Sequence, residues 1–388
     1  MVSTQLLRAS NRLLYWMIND ALPLWSTNAI DKTSGGAVEQ LFKNGQPDLL
    51  LNKRVRVQAR QIFSFSFAKH HGWFDDADSI ITDIELFLER NAVNPLHPTV
   101  YTHLLSADNQ VIDARQDIYD LAFFLLANAW RYRVFQKTQA LHKAHRLLQH
   151  LDTHFKSRFG GWREGDYDTP FRRQNPHMHL FEALLALYQA TYDGKWLARA
   201  GEIFTLFESH FFDNKKYILR EYFDESWQPV SINGQTIIEP GHMMEWVWLL
   251  RRYAELSGSP VEHYANALYQ QALIIGTDKR SGLLFDEVTP NGEVIKASKR
   301  CWPLTEQIKA NIAQAKAGHY QCEVYAAQAT NRLFRYFLQT PIAGSYVDRL
   351  NVNNQVVDHH APTSTFYHLI SATAEVVSYV NQHSVRFE

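Results

Sequence analysis

The stretch EPGHMMEWVWLL, residues 239–250, decides how the rest of the chain is read. Pro240 suits the first position of a helix, where its missing N–H costs nothing. The turns after it are apolar on nearly every side, so the helix is expected to be buried all round. His242 and Glu245 interrupt it three residues apart, on one face. A buried helix carrying a histidine and a carboxylate side by side predicts a cavity against that face.

Four other segments have the same all-round apolar character: VQARQIFSFSFA (57–68), DIYDLAFFLLANAW (117–130), HLFEALLALYQAT (179–191) and STFYHLISATAEVVSYV (364–380). A more polar sixth, CWPLTEQIKANIAQA (301–315), falls at the same spacing. Between them run amphipathic helices such as KTQALHKAHRLLQHLDTHFK (137–156) and HYANALYQQALIIGTDK (263–279). With an amphipathic N-terminal helix, this makes six outer–inner pairs. β-rich segments with DN, NG or NN turns precede several inner helices: 101–114, 217–234, 283–297 and 346–360. The expected fold is all-α, an (α/α)6 barrel of six inner and six outer helices with short β-hairpins at the active-site mouth. Residues 1–388 are expected to form a single domain, since no linker-like tract divides them.

The polar residues of the buried helices recur with the same period. Arg60, Tyr119, His179, His242, Glu306 and His368 are separated by 59 to 64 residues, each near the start of its helix. In a closed barrel they converge on one mouth. His179 and Glu182 repeat the three-residue spacing of His242 and Glu245. Burying several such groups is costly unless they share a pocket. Taken alone, His368 would more often be structural. Arg60 reads either as a salt-bridge partner for one of the glutamates or as the holder of a sugar oxygen that gains charge. Tyr119 and Asn175 carry a weaker signal, and Trp302 is read as a sugar platform.

Composition removes other classes. The net charge is −1 with no run of one sign, which gives no footprint for nucleic acid or an anionic membrane. No apolar run reaches membrane-span length. Cys301 and Cys322 make no disulfide framework and fit a reducing, cytoplasmic setting. His177, His179, His242 and His368 fit no common zinc spacing, and no dinucleotide or P-loop motif is present, so metal-free chemistry without a cofactor is expected. Histidines with adjacent carboxylates and one arginine suit proton transfer α to a carbonyl. In an open-chain aldose, the C2 proton returned to C1 gives a ketose, and returned to the other face of C2 gives the 2-epimer.

The blocks RVRVQARQIF (54–63), RRQNPHMHLFEA (172–183), EPGHMMEWVWLL, RCWPLTEQIKA (300–310) and FYHLI (366–370) closely resemble the N-acylglucosamine 2-epimerase superfamily of (α/α)6-barrel epimerases and isomerases. The resemblance runs from about residue 50 to the C-terminus, and its blocks look most like the branch that interconverts D-mannose and D-fructose without metal. It implies His242 and His368 as the acid/base pair and His179 as a third pocket histidine. Arg60 would polarise the carbonyl oxygen, and Glu245 and Glu306 would orient histidines or bind hydroxyls. Tyr119, Asn175 and Trp302 would line the pocket. Where some relatives have a histidine, this chain has Leu121, which predicts an altered contact at that corner. The implied partner is a monosaccharide, and the chain is expected to be a monomer or homodimer. Rival readings are a sugar 2-epimerase, a glycoside hydrolase using carboxylates such as Asp120 and Glu306, and a sugar-binding protein without turnover.

Overall fold

The computed structural model describes residues 2–358 and 360–384. Helix α1 (Thr4–Trp16) is capped by Ser3, whose hydroxyl accepts the Leu6 N–H, and continues through a π-turn into α2 (Leu22–Asn28). The remaining helices are α3 (Val55–His70), α4 (Ala77–Asn91), α5 (Ile118–Phe135), α6 (Thr138–His154), α7 (Gln174–Thr191) and α8 (Gly194–Leu206). They are followed by α9 (Pro240–Ser257), α10 (Glu262–Gly276), α11 (Cys301–Lys316), α12 (Cys322–Leu333) and α13 (Phe366–Ser384). The odd helices from α3 to α13 form the inner ring. Each packs on the next, and α13 returns to α3. Helices α4, α6, α8, α10 and α12 back the inner helix before them, while α1 covers α13 and touches α12. The fold is an (α/α)6 barrel, as the alternation of apolar and amphipathic helices predicts.

The inner helices stop where the chain can turn sharply. Gln136, Tyr192 and Gly258 follow α5, α7 and α9 in the left-handed region, with φ of 54°, 56° and 74°. The start of α9 explains two glycines. A Cβ on Gly241 would lie 2.6 Å from the Trp302 ring, and one on Gly276 would lie 2.5 Å from Pro240. The Pro-Gly of the opening stretch therefore sets how closely α9 meets α11 and α10.

The β-segments do more than form hairpins. Residues just before each inner helix pair with the connection that precedes the next inner helix. Lys53–Arg54 pairs with Leu104–Leu105, Arg172–Arg173 with Tyr222–Phe223, and Lys299–Arg300 with Leu350 and Arg349. Single bridges, Asp117 to Gly165 and Ile238 to Val288, fill the alternate positions. The sixth pairing joins Ala361–Pro362 to Gln40–Leu41 and closes the ring. The segments 101–114 and 283–297 contain true hairpins, Leu104–Leu105 with Val111–Asp113 and Glu287–Val288 with Val294–Lys296. The other two are shorter hairpins: the Val230 N–H donates to the Tyr222 carbonyl at 3.0 Å and the Val357 N–H to the Arg349 carbonyl at 3.2 Å, around the bridges Phe223 to Pro229 and Leu350 to Val356, while the same strands also pair with neighbouring repeats.

Every second repeat carries a basic dipeptide in this belt. Lys53, Arg172 and Lys299 are buried, and Lys53 and Lys299 reach Asp31 and Asp278 at 2.8 and 3.0 Å. The arginines that follow, or that complete the pair, bind a carboxylate from their own connection: Arg54 with Glu39, Arg173 with Glu164 and Arg300 with Asp286. These pairs tie each connection to the first turn of its inner helix. No described helix is long and apolar enough to cross a membrane.

Candidate active site

A cavity of about 350 Å³ opens at the N-terminal ends of the inner helices, within the usual range for small-molecule sites. Eight of the nine residues singled out from the sequence line it: Arg60, Tyr119, Asn175, His179, His242, Glu245, Trp302 and His368. The ninth, Glu306, lies behind His368 and is wholly buried. The sixty-residue period thus brings side chains from all six inner helices together.

Three histidines each present Nδ1 to a carboxylate. His179 meets Glu182 at 3.3 Å, His242 meets Glu221 at 3.0 Å and His368 meets Glu306 at 2.8 Å. With Nδ1–H donating to the carboxylate, each ring keeps Nε2 for the cavity. The His242 pairing corrects the sequence reading. Its carboxylate is not Glu245 three residues on but Glu221, from the connection before α9, with Glu239 at 3.8 Å. Spacing of three places two side chains on one face, yet a buried ring turns toward whichever acceptor its depth allows. Glu245 points instead toward His179, 3.9 Å away, and burial among Glu306 and Glu182 pushes its carboxyl well above the ordinary range.

Under the histidines lies Lys309, fully buried and missed by the sequence analysis. Its Nζ sits 2.7 Å from Glu306 and 3.7 Å from the Trp248 ring centre. Burial works against its charge, but Glu306, Glu245 and Glu182 more than offset that and keep it cationic. Glu306 therefore stands between a lysine and His368.

The two imidazoles beside Trp302 have opposite charge preferences. Their ring centres lie 5.1 Å (His242) and 5.7 Å (His368) from the indole. Burial opposes a charge on His242, but Glu221 and Glu239 prevail and raise it to about 9. His368 is pushed well below the ordinary value by burial, with Arg60 and Lys309 adding to the effect. His179 is held at about 4, again chiefly by burial. At neutral pH the site thus pairs a charged His242 with a neutral His368.

Arg60 donates from Nη2 to the Tyr119 hydroxyl at 2.7 Å and from Nη1 to the Ser364 carbonyl at 2.9 Å, with its plane over Phe123. Among the described residues it has no ion-pair partner, so the salt-bridge reading fails. Three buried polar atoms of the lining residues lack a hydrogen-bond partner among the described residues: Arg60 Nε, Asn175 Oδ1 and Glu245 Oε1. Buried polar groups are nearly always satisfied, so such atoms mark capacity for a polar ligand.

Other expectations are corrected or refined. Leu121 does not reach the cavity; it lines a separate cleft with Tyr101, Phe124 and Leu147 on the outer wall, so the departure there leaves the central cavity untouched. Asp120 is engaged by Arg56 at 3.0 Å and His103 at 2.6 Å, and Glu306 by His368 and Lys309, which leaves neither as a free glycosidase acid. His177 is structural: its Nε2 accepts the Trp162 N–H at 3.1 Å, and it packs against Trp227.

The profile of the N-acylglucosamine 2-epimerase family matches residues 36–372. The chain belongs to that family. It is similar along nearly its whole length to the mannose-6-phosphate isomerase of Rhizobium meliloti, 32% identical over 384 residues that cover 95% of this chain and 96% of the relative. It is 27% identical to the D-mannose isomerase of Thermobifida fusca over 283 residues, 66% of this chain and 68% of that one. The cellobiose 2-epimerase of Spirochaeta thermophila superposes with a TM-score of 0.86 at 18% identity, covering 98% of both chains, and so shares the fold. The chain is accordingly a member of a family of carbohydrate isomerases and epimerases.

The charge on His242 has a measurable consequence. Its pKa in the folded chain, about 9, exceeds the 6.5 of an unfolded histidine, so its contribution is fully present below pH 6.5 and is lost as pH rises through 9. The contribution is on the order of 3 kcal/mol at most. Glu221→Gln removes the main attraction, so the His242 ring should titrate well below 9 by NMR. Stability should then fall less steeply between pH 6.5 and 9. An unchanged titration would mean that Glu221 does not set the charge of His242.

Proposed function

We propose that the chain is an aldose–ketose isomerase interconverting D-mannose and D-fructose by proton transfer through an enediol. The observation that carries this reading is the pair of imidazoles lining the cavity beside Trp302, His242 and His368, each held through Nδ1 by a buried carboxylate and with opposite charge preferences. Neutral His368 takes the C2 proton of the open-chain aldose at Nε2, and the electron pair moves to the carbonyl oxygen. Arg60 stabilises that oxygen as its charge grows. Charged His242 supplies a proton to O1 and recovers one from O2, and His368 returns its proton to C1 to complete the ketose. The return of a proton to the opposite face of C2 instead gives the 2-epimer. Glu306, backed by Lys309, holds His368 in the tautomer that leaves Nε2 unprotonated. Tyr119 and Asn175 bind hydroxyls, and Trp302 supports the ring.

The choice of mannose rests on the sequence blocks and on the names of two relatives, a D-mannose isomerase and a mannose-6-phosphate isomerase. The two free buried thiols agree with a cytoplasmic setting.

A second reading has its own observation. Arg54, Arg56, Arg300 and Arg349 line the same cavity as Arg60, and exposed Arg349 has no ion-pair partner among the described residues. Arginine at a mouth suits a phosphate on C6 of the sugar. The two readings separate on one comparison, kcat/KM for D-mannose against D-mannose 6-phosphate, with Arg349→Ala lowering only the second.

Proton NMR of D-mannose, D-glucose, cellobiose and N-acetylmannosamine, each incubated with the protein in heavy water, tests the reaction type. The expected result is D-fructose from D-mannose with deuterium at C1 of the fructose and at C2 of the recovered mannose, persisting after exhaustive treatment with EDTA. Released glucose from cellobiose, no exchange at all, or chelation that abolishes turnover until a divalent ion is restored would each overturn the mechanism.

A further inference from the structure

On the outer wall, away from the sugar cavity, three histidines converge. His150 and His154 are one helical turn apart on α6, and His97 reaches them from the connection after α4. One nitrogen from each lies within 4.8 Å of the other two. Their ring centres are 4.4 to 5.2 Å apart. His150 is buried, His97 half-buried and His154 exposed, so the cluster is anchored at its base and open on one side.

We infer that His97, His150 and His154 form a binding site for a divalent transition metal of the zinc class. The hydrogen bond beneath the cluster supports a ligand role. His150 Nε2 lies 2.5 Å from the side-chain oxygen of Gln116, so that nitrogen carries the proton and Nδ1 keeps its lone pair. Metal-binding imidazoles are usually oriented by such a bond from the second nitrogen to an oxygen. The two helical histidines have the H-x3-H spacing common among zinc ligands. Three imidazoles without a carboxylate favour zinc, copper or nickel over calcium or magnesium, which require oxygen donors. A tetrahedral zinc with bonds of about 2.0–2.1 Å holds its nitrogens roughly 3.4 Å apart, a modest contraction that exposed His154 and half-buried His97 can make by side-chain rotation. Water from the open side completes four-coordination.

The site also has a route to the barrel mouth. The Gln116 N–H donates to Asp166 at 2.8 Å, and the next residue, Asp117, caps α5 by accepting the Tyr119 N–H at 2.8 Å. A metal on His150 would fix Gln116 and so brace the first turn of α5. It would be a structural metal, separate from the proton chemistry.

The test uses the full chain, stripped with EDTA and desalted. One equivalent of Co2+ should give the visible bands of a tetrahedral cobalt site. Zn2+ at a hundredfold excess over its Kd should raise Tm by about 2 °C or more. His97→Ala/His154→Ala, which leaves the His150–Gln116 bond in place, should melt like the stripped parent, lose both signals and keep its turnover of sugar. Failure of the parent to bind Co2+ or Zn2+ would overturn the site. Undiminished binding by the double variant would overturn it too, placing the metal on the carboxylate-histidine groups of the sugar cavity instead.

Discussion

His242→Ala and His368→Ala should each lose about two to four orders of magnitude in turnover, the usual loss when a general acid or base is removed. Both should remain folded. Without His368, Glu306 keeps Lys309 as partner at 2.7 Å, and without His242 the Glu221 carboxylate still accepts from the Gln174 amide at 2.9 Å while Glu239 lines the cavity. The double variant should be little worse than either single one, since residues acting as a unit are not additive. Melting temperature and turnover measured on the same samples decide between this and two merely structural histidines. A cooler but active His242→Ala would remove it from the mechanism.

Arg60→Ala should lower kcat by a hundredfold or more, on the order of 3 kcal/mol of transition-state stabilisation. The expectation follows from a buried guanidinium with no carboxylate partner among the described residues and a free Nε. Arg60→Lys should recover only part, because an ammonium has no planar fork to span the Tyr119 hydroxyl, the Ser364 carbonyl and a substrate oxygen at once. A variant with raised KM and unchanged kcat would make Arg60 a binding group alone.

The fold was legible because the barrel imposes a period. A helix buried all round cannot hide its composition, and five such helices with a more polar sixth at the same spacing leave few other architectures. The same period located Arg60, Tyr119, His179, His242, Glu306 and His368, because each needs the same depth on an equivalent helix. What the period could not reveal were partners reached through tertiary packing. Glu221 lies outside any helix, and nothing in the order of residues says that its carboxylate meets His242. Lys309 looked like one more polar residue on the least apolar inner helix, whereas burial against Trp248 makes it the cation beneath the site. The basic dipeptides before α3, α7 and α11 were readable in principle, as a repeat at twice the main period. The H-x3-H of α6 was visible too, but His97 is brought to it only by the fold.

The sixth pairing, Ala361–Pro362 with Gln40–Leu41, affects how the molecule comes apart. Gln61 strengthens that seam by donating to the Thr363 carbonyl, and Thr363 in turn donates to Glu39. An open array of helical repeats has two terminal units that fray first, because each lacks a neighbour. Here every unit has two. Peeling one inner helix away must break two seams together, and for α3 and α13 one of them joins segments more than three hundred residues apart in sequence. Opening is therefore opposed at every point of the circumference, and local fluctuation is left to the connections and outer helices. The same closure makes folding wait on its longest loop, so the barrel should be slow to form and slow to undo.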